Sequence, residues 1–423
     1  MKKKTSFTFI LVLLVFVYNV SAQMRVHLIN VGQGCATLIE FPCAAILVDA
    51  GGESNALFNS SDSLTAYLDN FFERRSDLNH TLQCVYLTHP HKDHTLGVPV
   101  ILQSPYVIKN AVTDGLEEGS GKAGQIKLHR AAQASEENND PADDIGLEAV
   151  TTDKIVGNAG LTNSVIDPVN CIGIDPVIKI LWGASTVKPA TWTTTDFNNE
   201  NNHSLVIRIE YGSSVFIITG DLEDVAQANL LAKYNGTNLL DADVYLVGHH
   251  GSKNGSSQEL INKITPQMAL IGVGDQRRQI LWTAWAYGHP NKGILDRLQN
   301  KLTATRTPIH VKAGTGAKTF VDYTVSKAIY ATGWDNNVVL EADADGHWNK
   351  VEKVEIPLVP ALVNINTATL SELQTLPGIG ATKAQAIIDF RTTHGNFTSI
   401  DQLDDVPGIG PATINLVRPY VRI

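Results

Sequence analysis

The chain has 423 residues, 43% apolar and 18% charged, with a formal net charge of −10. That length accommodates two or three domains around a large buried core, and the composition is that of a globular protein. The acidic balance excludes attraction to nucleic acid or an anionic membrane by bulk electrostatics, so any DNA binding has to use a local device.

The N-terminus reads as a secretory signal, with Lys2, Lys3 and Lys4 as the positive region, residues 7–17 as the apolar one and Val20-Ser21-Ala22 as a small-residue cleavage site before Gln23. The competing reading is a retained membrane anchor, for which the apolar run is short. A secreted or periplasmic bacterial protein is expected, with no membrane span in the mature chain. From Met24, short apolar runs broken by Gly and Pro predict strands at MRVHLINV, ATLIEF and AAILVDAGG, the last ending at Asp49. Leu64, Tyr67, Leu68 and Phe71 then share one face of a helix over residues 62–75. Four cysteines, Cys35, Cys43, Cys84 and Cys171, would permit disulfides in an oxidising compartment. A hairpin turn near Glu40-Phe41-Pro42 puts Cys43 opposite Ile39 rather than Cys35, so no Cys35–Cys43 bond is expected.

The run QCVYL leads into THPHKDHTLG. Residues 114–202 follow as a polar stretch with short apolar pieces such as PVIKILWG, expected to be a large surface insertion: a flap over the site, or a disordered or ornamental loop. Pattern returns with HSLVIRIEYG and SSVFIITGDLE, a strand pair ending at Asp221, followed by a helix over 224–233. Next come DVYLVGHHGSKNGSS, the strand TPQMALIGVG and AYGHP, which puts His289 ahead of another helix. Strands KAIYATG and NVVLEA close the domain near Trp348. EIPLVPALVN, with Pro357 and Pro360, is a stiff linker. Beyond it the chain turns helical and repeats itself, with PGIG at Pro377 to Gly380 and at Pro407 to Gly410.

The chemistry concentrates at predicted strand ends. His89, His91, Asp93 and His94 follow one strand, Asp221 a second, and His249 with His250 a third. Imidazole and carboxylate without thiolate suit zinc, manganese or iron, and two such ions can lower the pKa of a shared water while holding an oxyanion. A lone HxH would read as ordinary surface or core histidines. HxHxDH followed by a strand-end Asp and then HHGS is far more specific.

These residues resemble the metallo-β-lactamase fold superfamily. Within it, GQG, LVDAGG, THPHKDHTLG, NNHSLVIRIEYG, FIITGDLE, HHGSKNGSS and YGHP are similar to the soluble domain of the ComEC competence proteins and their relatives, over residues 24–345 apart from the insertion. The resemblance implies an α/β fold, a four-layered αβ/βα sandwich with two divalent metal ions at one edge, zinc or alternatively manganese. By that resemblance His89 and His91 bind the first ion, Asp93 and His94 the second, and Asp221 both. Of the last pair, His250 is assigned to metal and His249 to the substrate phosphate. Asp49 steadies the metal loop, and His289 either lines the site or caps its helix. Two departures stand out: Cys35 replaces the family's usual Asp in VGQGD, and the third-motif ligand is undefined, His203 being the available imidazole.

In the repeat, a helix that turns through PGIG and restarts presents glycine amides at a fresh helix N-terminus, an anion site that can hold a backbone phosphate without reading bases. Ile379 and Ile409 would plug the turns into the core, and Thr369 with Glu372 forms a capping box. Residues 362–423 resemble the tandem helix-hairpin-helix domain of the DNA receptor ComEA. The resemblance implies DNA-backbone binding without sequence specificity, through Gly378, Gly380, Lys383, Gly408 and Gly410. The segment carries Lys383, Arg391, Arg418 and Arg422 against five acids, so counterion release contributes modestly; a pure packing module is the alternative.

The expected organisation is therefore a signal peptide (1–22), a hydrolase domain (23–350), a linker (351–361) and a small all-α helix-hairpin-helix domain (362–423). The function that follows is an exported phosphodiesterase, a DNA nuclease related to DNA uptake that uses a metal-bridged hydroxide, with Asp93, His249 and His289 around the reacting phosphate. A hydrolase of a small phosphodiester or lactone, and a DNA-binding uptake protein with a degenerate hydrolase site, stay open as alternatives.

Overall fold

The computed structural model describes residues 23–351 and 363–423, apart from 138, 139, 141, 142, 375, 377, 419 and 420. The signal segment, linker residues 352–361 and Pro377 lie outside the described residues. The chain forms two compact units, one of residues up to 60 with 81–350, the other of 61–80 with 351–423.

In the first unit, eight strands order as Gly146–Ala149, Asn110–Thr113, Cys84–Leu87, Ala45–Val48, Thr37–Glu40, Met24–Leu28, Val338–Ala342 and Trp348–Lys350. A second sheet of six orders as Val177–Trp182, Val206–Tyr211, Ser214–Ile218, Val244–Leu246, Met268–Ile271 and Ile329–Ala331. The strand Cys84–Leu87 pairs in parallel with both neighbours and is buried at all four positions, which is why it reads as an unbroken apolar run. Its faces still alternate. Cys84 and Tyr86 join Ile39, Ile46, Ile207, Phe216 and Leu246 in the core between the sheets. On the second sheet, Ile217 and Tyr245 point the other way, against Leu230, Leu260 and Leu295 of the helices Asp224–Lys233, Gln258–Ile264 and Lys292–Lys301. Each fully buried aliphatic side chain of this kind contributes roughly 1.5–3 kcal/mol.

The polar stretch expected to be a surface insertion is partly built into the sheets. Gly146–Ala149 extends the first sheet and Val177–Trp182 the second, with Ile155, Ile166 and Val169 in the shared core. Of the two strands, Val177–Trp182 is visible in the sequence as an apolar piece, whereas Gly146–Ala149 is short and carries no clear alternation. The helix Lys122–Glu137 lies alongside Asn110–Thr113, where His129 Nε2 and Thr113 Oγ1 are 2.9 Å apart. A long hairpin, Thr305–Gly316 with Thr319–Lys327, was also not anticipated.

Register corrects one detail near the N-terminus. Ile39 pairs with Ile46, and Cys43 sits in the turn that Phe41 N–H closes on the Ala44 carbonyl. From there Cys43 forms a disulfide with Cys171, while Cys35 and Cys84 are buried free thiols.

The second unit holds most of the helix Ser60–Arg74 together with the C-terminal helices Leu370–Leu373, Ala381–His394 and Pro411–Val417. Thr369 and Glu372 form a reciprocal capping box on the first of the C-terminal helices. Ile379 and Ile409 are buried with Leu373, Ile387, Leu403 and Val417. Short strands Val363–Asn364 and Val421–Arg422 pair in parallel, joining the two ends of this segment. Among the described residues, no helix is long and apolar enough to cross a membrane.

Candidate metal centre

Parallel strands bring the chemistry together because their C-terminal ends lie side by side. In the first sheet, Ala45–Val48, Cys84–Leu87 and Asn110–Thr113 run parallel and deliver Asp49, Thr88 with His89, and Asp114. In the second, Ser214–Ile218, Val244–Leu246 and Met268–Ile271 deliver Asp221, His250 and the Gly272 carbonyl.

The loop THPHKDH is held by backbone contacts that only glycine permits. Cys35 N–H donates to Asp93 O at 2.9 Å and Ala50 N–H to His94 O at 2.9 Å. A Cβ on Gly51 would lie 1.7 Å from that Asp93 oxygen, and one on Gly34, at φ +152°, would lie 2.5 Å from it. His91 then caps the short helix Lys92–Thr95, whose first turn carries Asp93 and His94.

One ligand atom from each of Asp93, His94, Asp221 and His250 falls within 4.8 Å of the others. His94 Nε2 is 3.1 Å from Asp221 Oδ1, and His250 Nε2 is 3.2 Å from Asp93 Oδ2 and 3.5 Å from Asp221 Oδ2. Metal bonds of about 2.0–2.2 Å in a tetrahedron set ligand atoms about 3.3 Å apart, which these spacings match. The Nε2 atoms of His89, His94 and His250 are buried without a hydrogen-bond partner, a costly state that a divalent ion would relieve. The donor set therefore fits a divalent metal.

The opposite nitrogens are spoken for, which aims Nε2 inward. His94 Nδ1 lies 2.7 Å from Asp49 Oδ2, and Asp49 also accepts from Thr88 N–H and its hydroxyl. Asp49 itself adopts φ +58°. His250 Nδ1 donates to the Gly272 carbonyl at 2.7 Å. Cys35 Sγ lies 3.8 Å from the same Nδ1, behind the ring rather than among the ligand atoms.

Electrostatics follow from crowding. Burial disfavours charge throughout, yet in His94 the carboxylates of Asp221 and Asp49 outweigh it and push the imidazole well above its ordinary value; Asp221 does the same to His250. Burial also opposes ionisation of Asp93 and Asp221, but the facing imidazoles hold both well below the usual carboxylate range. His89, which lacks a hydrogen-bonded carboxylate, is driven well below its ordinary value by burial and by His94.

The remaining expected residues fall around this cluster. His89 Nε2 is 4.0 Å from Asp221 Oδ2, and the His89 and His91 rings are 4.6 Å apart. His249 Nε2 is 3.9 Å from Asp221 Oδ2, and its Nδ1 is 3.7 Å from Glu223. His289 is buried, 6.0 Å from the His249 ring and stacked on Tyr287; burial and then the charges of His250 and His249 lower it to about 3. Gln33 Nε2 donates to its Nδ1 at 3.3 Å.

His203, the available third-motif imidazole, is turned away. Its Nδ1 accepts from Ser185 N–H at 3.0 Å and its Nε2 donates to Phe197 O at 2.7 Å, so neither nitrogen is free for metal. Sequence reasoning took Gln33 and Thr88 only as parts of GQG and THPHKDHTLG, without a role, and missed Asp114 and Glu200, which carry no motif spacing of their own.

In the C-terminal repeat, Gly378 and Gly408 adopt φ of +74° and +85°, and Gly380 and Gly410 cap the helices Ala381–His394 and Pro411–Val417. Lys383 Nζ donates to Gly378 O at 3.1 Å and to Thr413 Oγ1 at 3.2 Å. Arg391 is used internally, on the carbonyls of Ile365 and Ala368.

Comparison with known proteins agrees with this geometry. Residues 29–274 match the metallo-beta-lactamase superfamily, and residues 361–422 the helix-hairpin-helix motif. ComE operon protein 3 of Bacillus subtilis (strain 168) is 26% identical over 299 residues, 68% of this chain and 32% of that protein. ComE operon protein 1 of the same organism is 44% identical over 63 residues, 15% of this chain and 31% of that protein. Competence protein ComA of Neisseria gonorrhoeae is 32% identical over 101 residues, 24% of this chain and 13% of that protein. The chain thus spans about a third or less of the length of these relatives. With its sheets, its His/Asp cluster and the family match in agreement, the chain belongs to the metallo-β-lactamase superfamily and carries a helix-hairpin-helix motif at its C-terminal end.

Proposed function

We propose that this protein is an exported, metal-dependent phosphodiesterase that acts on DNA, in the context of DNA uptake. One observation carries the reading: a buried His/Asp centre of metallo-β-lactamase type and a tandem helix-hairpin-helix, which suits a nucleic-acid backbone, stand in one chain. The names of its relatives, a competence protein and ComE operon products, support a place in competence.

Asp93, His94, Asp221 and His250 would hold a divalent ion, with His89 and His91 toward a second, zinc or manganese by ligand type. When bound, such ions supply positive charge against a phosphate and make a coordinated water more acidic. Around them the chain's own groups orient the ester. His249, one-fifth exposed at its side chain, reaches solvent at the centre, as His91 does, and would donate to a phosphate oxygen. His289 is neutral at physiological pH. With Nδ1 accepting from Gln33, its proton sits on Nε2, which makes it a fixed neutral donor rather than a proton source.

Of the two departures that motivate a degenerate hydrolase site, Cys35 stands behind His250 and leaves its Nε2 unobstructed, whereas the third-motif ligand is not supplied by His203, so that second motive stands. The deciding assay incubates purified mature protein with plasmid and single-stranded DNA in zinc, manganese or magnesium, beside Asp93→Ala. Wild type should cut and the variant lose at least 100-fold in rate. Equal cutting by both, or by neither, defeats the nuclease reading, and turnover of a small phosphodiester alone would favour a small-molecule hydrolase.

A further inference from the structure

The four residues that converge within 4.8 Å leave out His89 and His91, the first half of the HxHxDH motif. His89 is fully buried, and its Nε2 has no hydrogen-bond partner. An imidazole nitrogen in that state, 4.0 Å from Asp221 Oδ2, points to a second ligand position that shares Asp221 with the first. His203, the residue that sequence offers to complete it, is excluded because both of its nitrogens are engaged.

We propose that Glu200 completes this second position, so that one ion is held by His89, His91, Glu200 and Asp221 and the other by Asp93, His94, Asp221 and His250. The proposal builds on the metal-dependent reading above and adds a ligand to it. Glu200 Oε2 lies 3.5 Å from His91 Nε2. That is longer than a charge-assisted hydrogen bond, about 2.7–2.9 Å, and close to the spacing of two ligand atoms on one ion. The turn that presents Glu200 is fixed from several sides. Asn199 Oδ1 accepts from Asn201 N–H, Asn201 donates its amide to Glu223, Asn202 donates to Asp196 O, and Trp182 Nε1 donates to Asn202 O. His203 closes the turn onto Ser185 and Phe197. The imidazole that was available at this position thus anchors the backbone that offers a carboxylate instead.

The substitution has a chemical consequence. Two imidazoles with two carboxylates form a harder set than three imidazoles, which shifts the second position away from zinc toward manganese or magnesium. The test strips the full-length chain with chelator and titrates it with manganese chloride or zinc chloride, followed by calorimetry and by manganese electron paramagnetic resonance. Wild type should take up two manganese ions. Glu200→Ala should retain one at wild-type affinity and bind the other at least tenfold more weakly. Glu200→His should restore the second ion with its preference moved to zinc, which a structural role for Glu200 would not produce. Should Glu200→Ala not fold, the isosteric Glu200→Gln carries the same expectation. A wild type that binds a single ion, a Glu200 variant that binds both as wild type does, or loss of the second ion from His249→Ala instead, overturns the proposal. These readouts use no DNA: two ions in wild type and one in the variant, with no strand cleavage by either, would keep the assignment and defeat the nuclease reading.

Discussion

At the scale of single residues, the centre is a balance between burial and charge, and Asp114 shows it outside the ligand set. It ends the third parallel strand of the first sheet, accepts from Leu116 N–H at 3.0 Å and Gln125 Nε2 at 2.7 Å, and has its other oxygen buried without a partner. Burial, with Glu200 adding like charge, raises its pKa to about 8. Between about pH 4 and pH 8 the folded chain therefore keeps a proton that the unfolded chain has released. The stabilisation is complete below the unfolded value and declines as pH rises through 8, by up to about 1.4 kcal/mol per pH unit. Asp114→Asn retains the oxygen that Leu116 and Gln125 use and removes the titration. Its melting temperature should vary less than that of wild type between pH 5 and pH 8 and exceed it at pH 8; parallel curves would show that Asp114 does not titrate as described.

Elements explain why the site is rigid. The candidate ligands stand on short turns and one short helix just past strand ends, and the strands are hydrogen-bonded to their neighbours, which fixes where each turn begins. The disulfide extends this control to the polar stretch, tying the turn after Thr37–Glu40 to Cys171 across a sequence separation of 128 residues. Closing so long a loop restricts the unfolded chain, an effect of about 2–4 kcal/mol in typical cases. Cys43→Ser should unfold at lower denaturant than wild type in oxidising buffer, and the two should coincide in dithiothreitol. Coincidence in both buffers would mean that the bond does not form. The short helices of the repeat were legible for a local reason: Thr369 and Glu372 cap within three residues, and each PGIG supplies its own turn.

For the molecule as a whole, the net charge of −10 makes DNA retention depend on a local device, and the basic residues of the C-terminal segment are largely occupied. Arg391 holds two carbonyls, Arg418 pairs with Asp401, and Lys383 reaches Gly378 and Thr413. On the proposed function, the helix N-termini are then the contacts to test for phosphate. Gly380 and Gly410 have ordinary φ, −82° and −126°, and a Cβ on either meets nothing within 4 Å. Replacing both by Glu suits the helix dipole and so spares the fold, but it repels phosphate. DNA retention should fall at least tenfold while hydrolysis of a small phosphodiester is unchanged; unchanged retention would leave the repeat as a packing module.

The sequence by itself picked out the candidate His/Asp cluster and the strands it follows, because HPHKDH lies within six residues and each strand's period is visible in its own side chains. It also carried the repeat, whose turns and caps are local chemistry. The tertiary structure decided what depends on distant pairing. It joined Cys43 to Cys171, turned His203 away from the centre, set Glu200 beside His91, and drew strands for both sheets from a stretch that reads as polar loop. It also grouped residues 61–80 with the C-terminal unit. The reason is physical: spacing and periodicity report neighbours along the chain, whereas which strand ends meet is set by sheet order, and sheet order is decided by burial summed over the whole core.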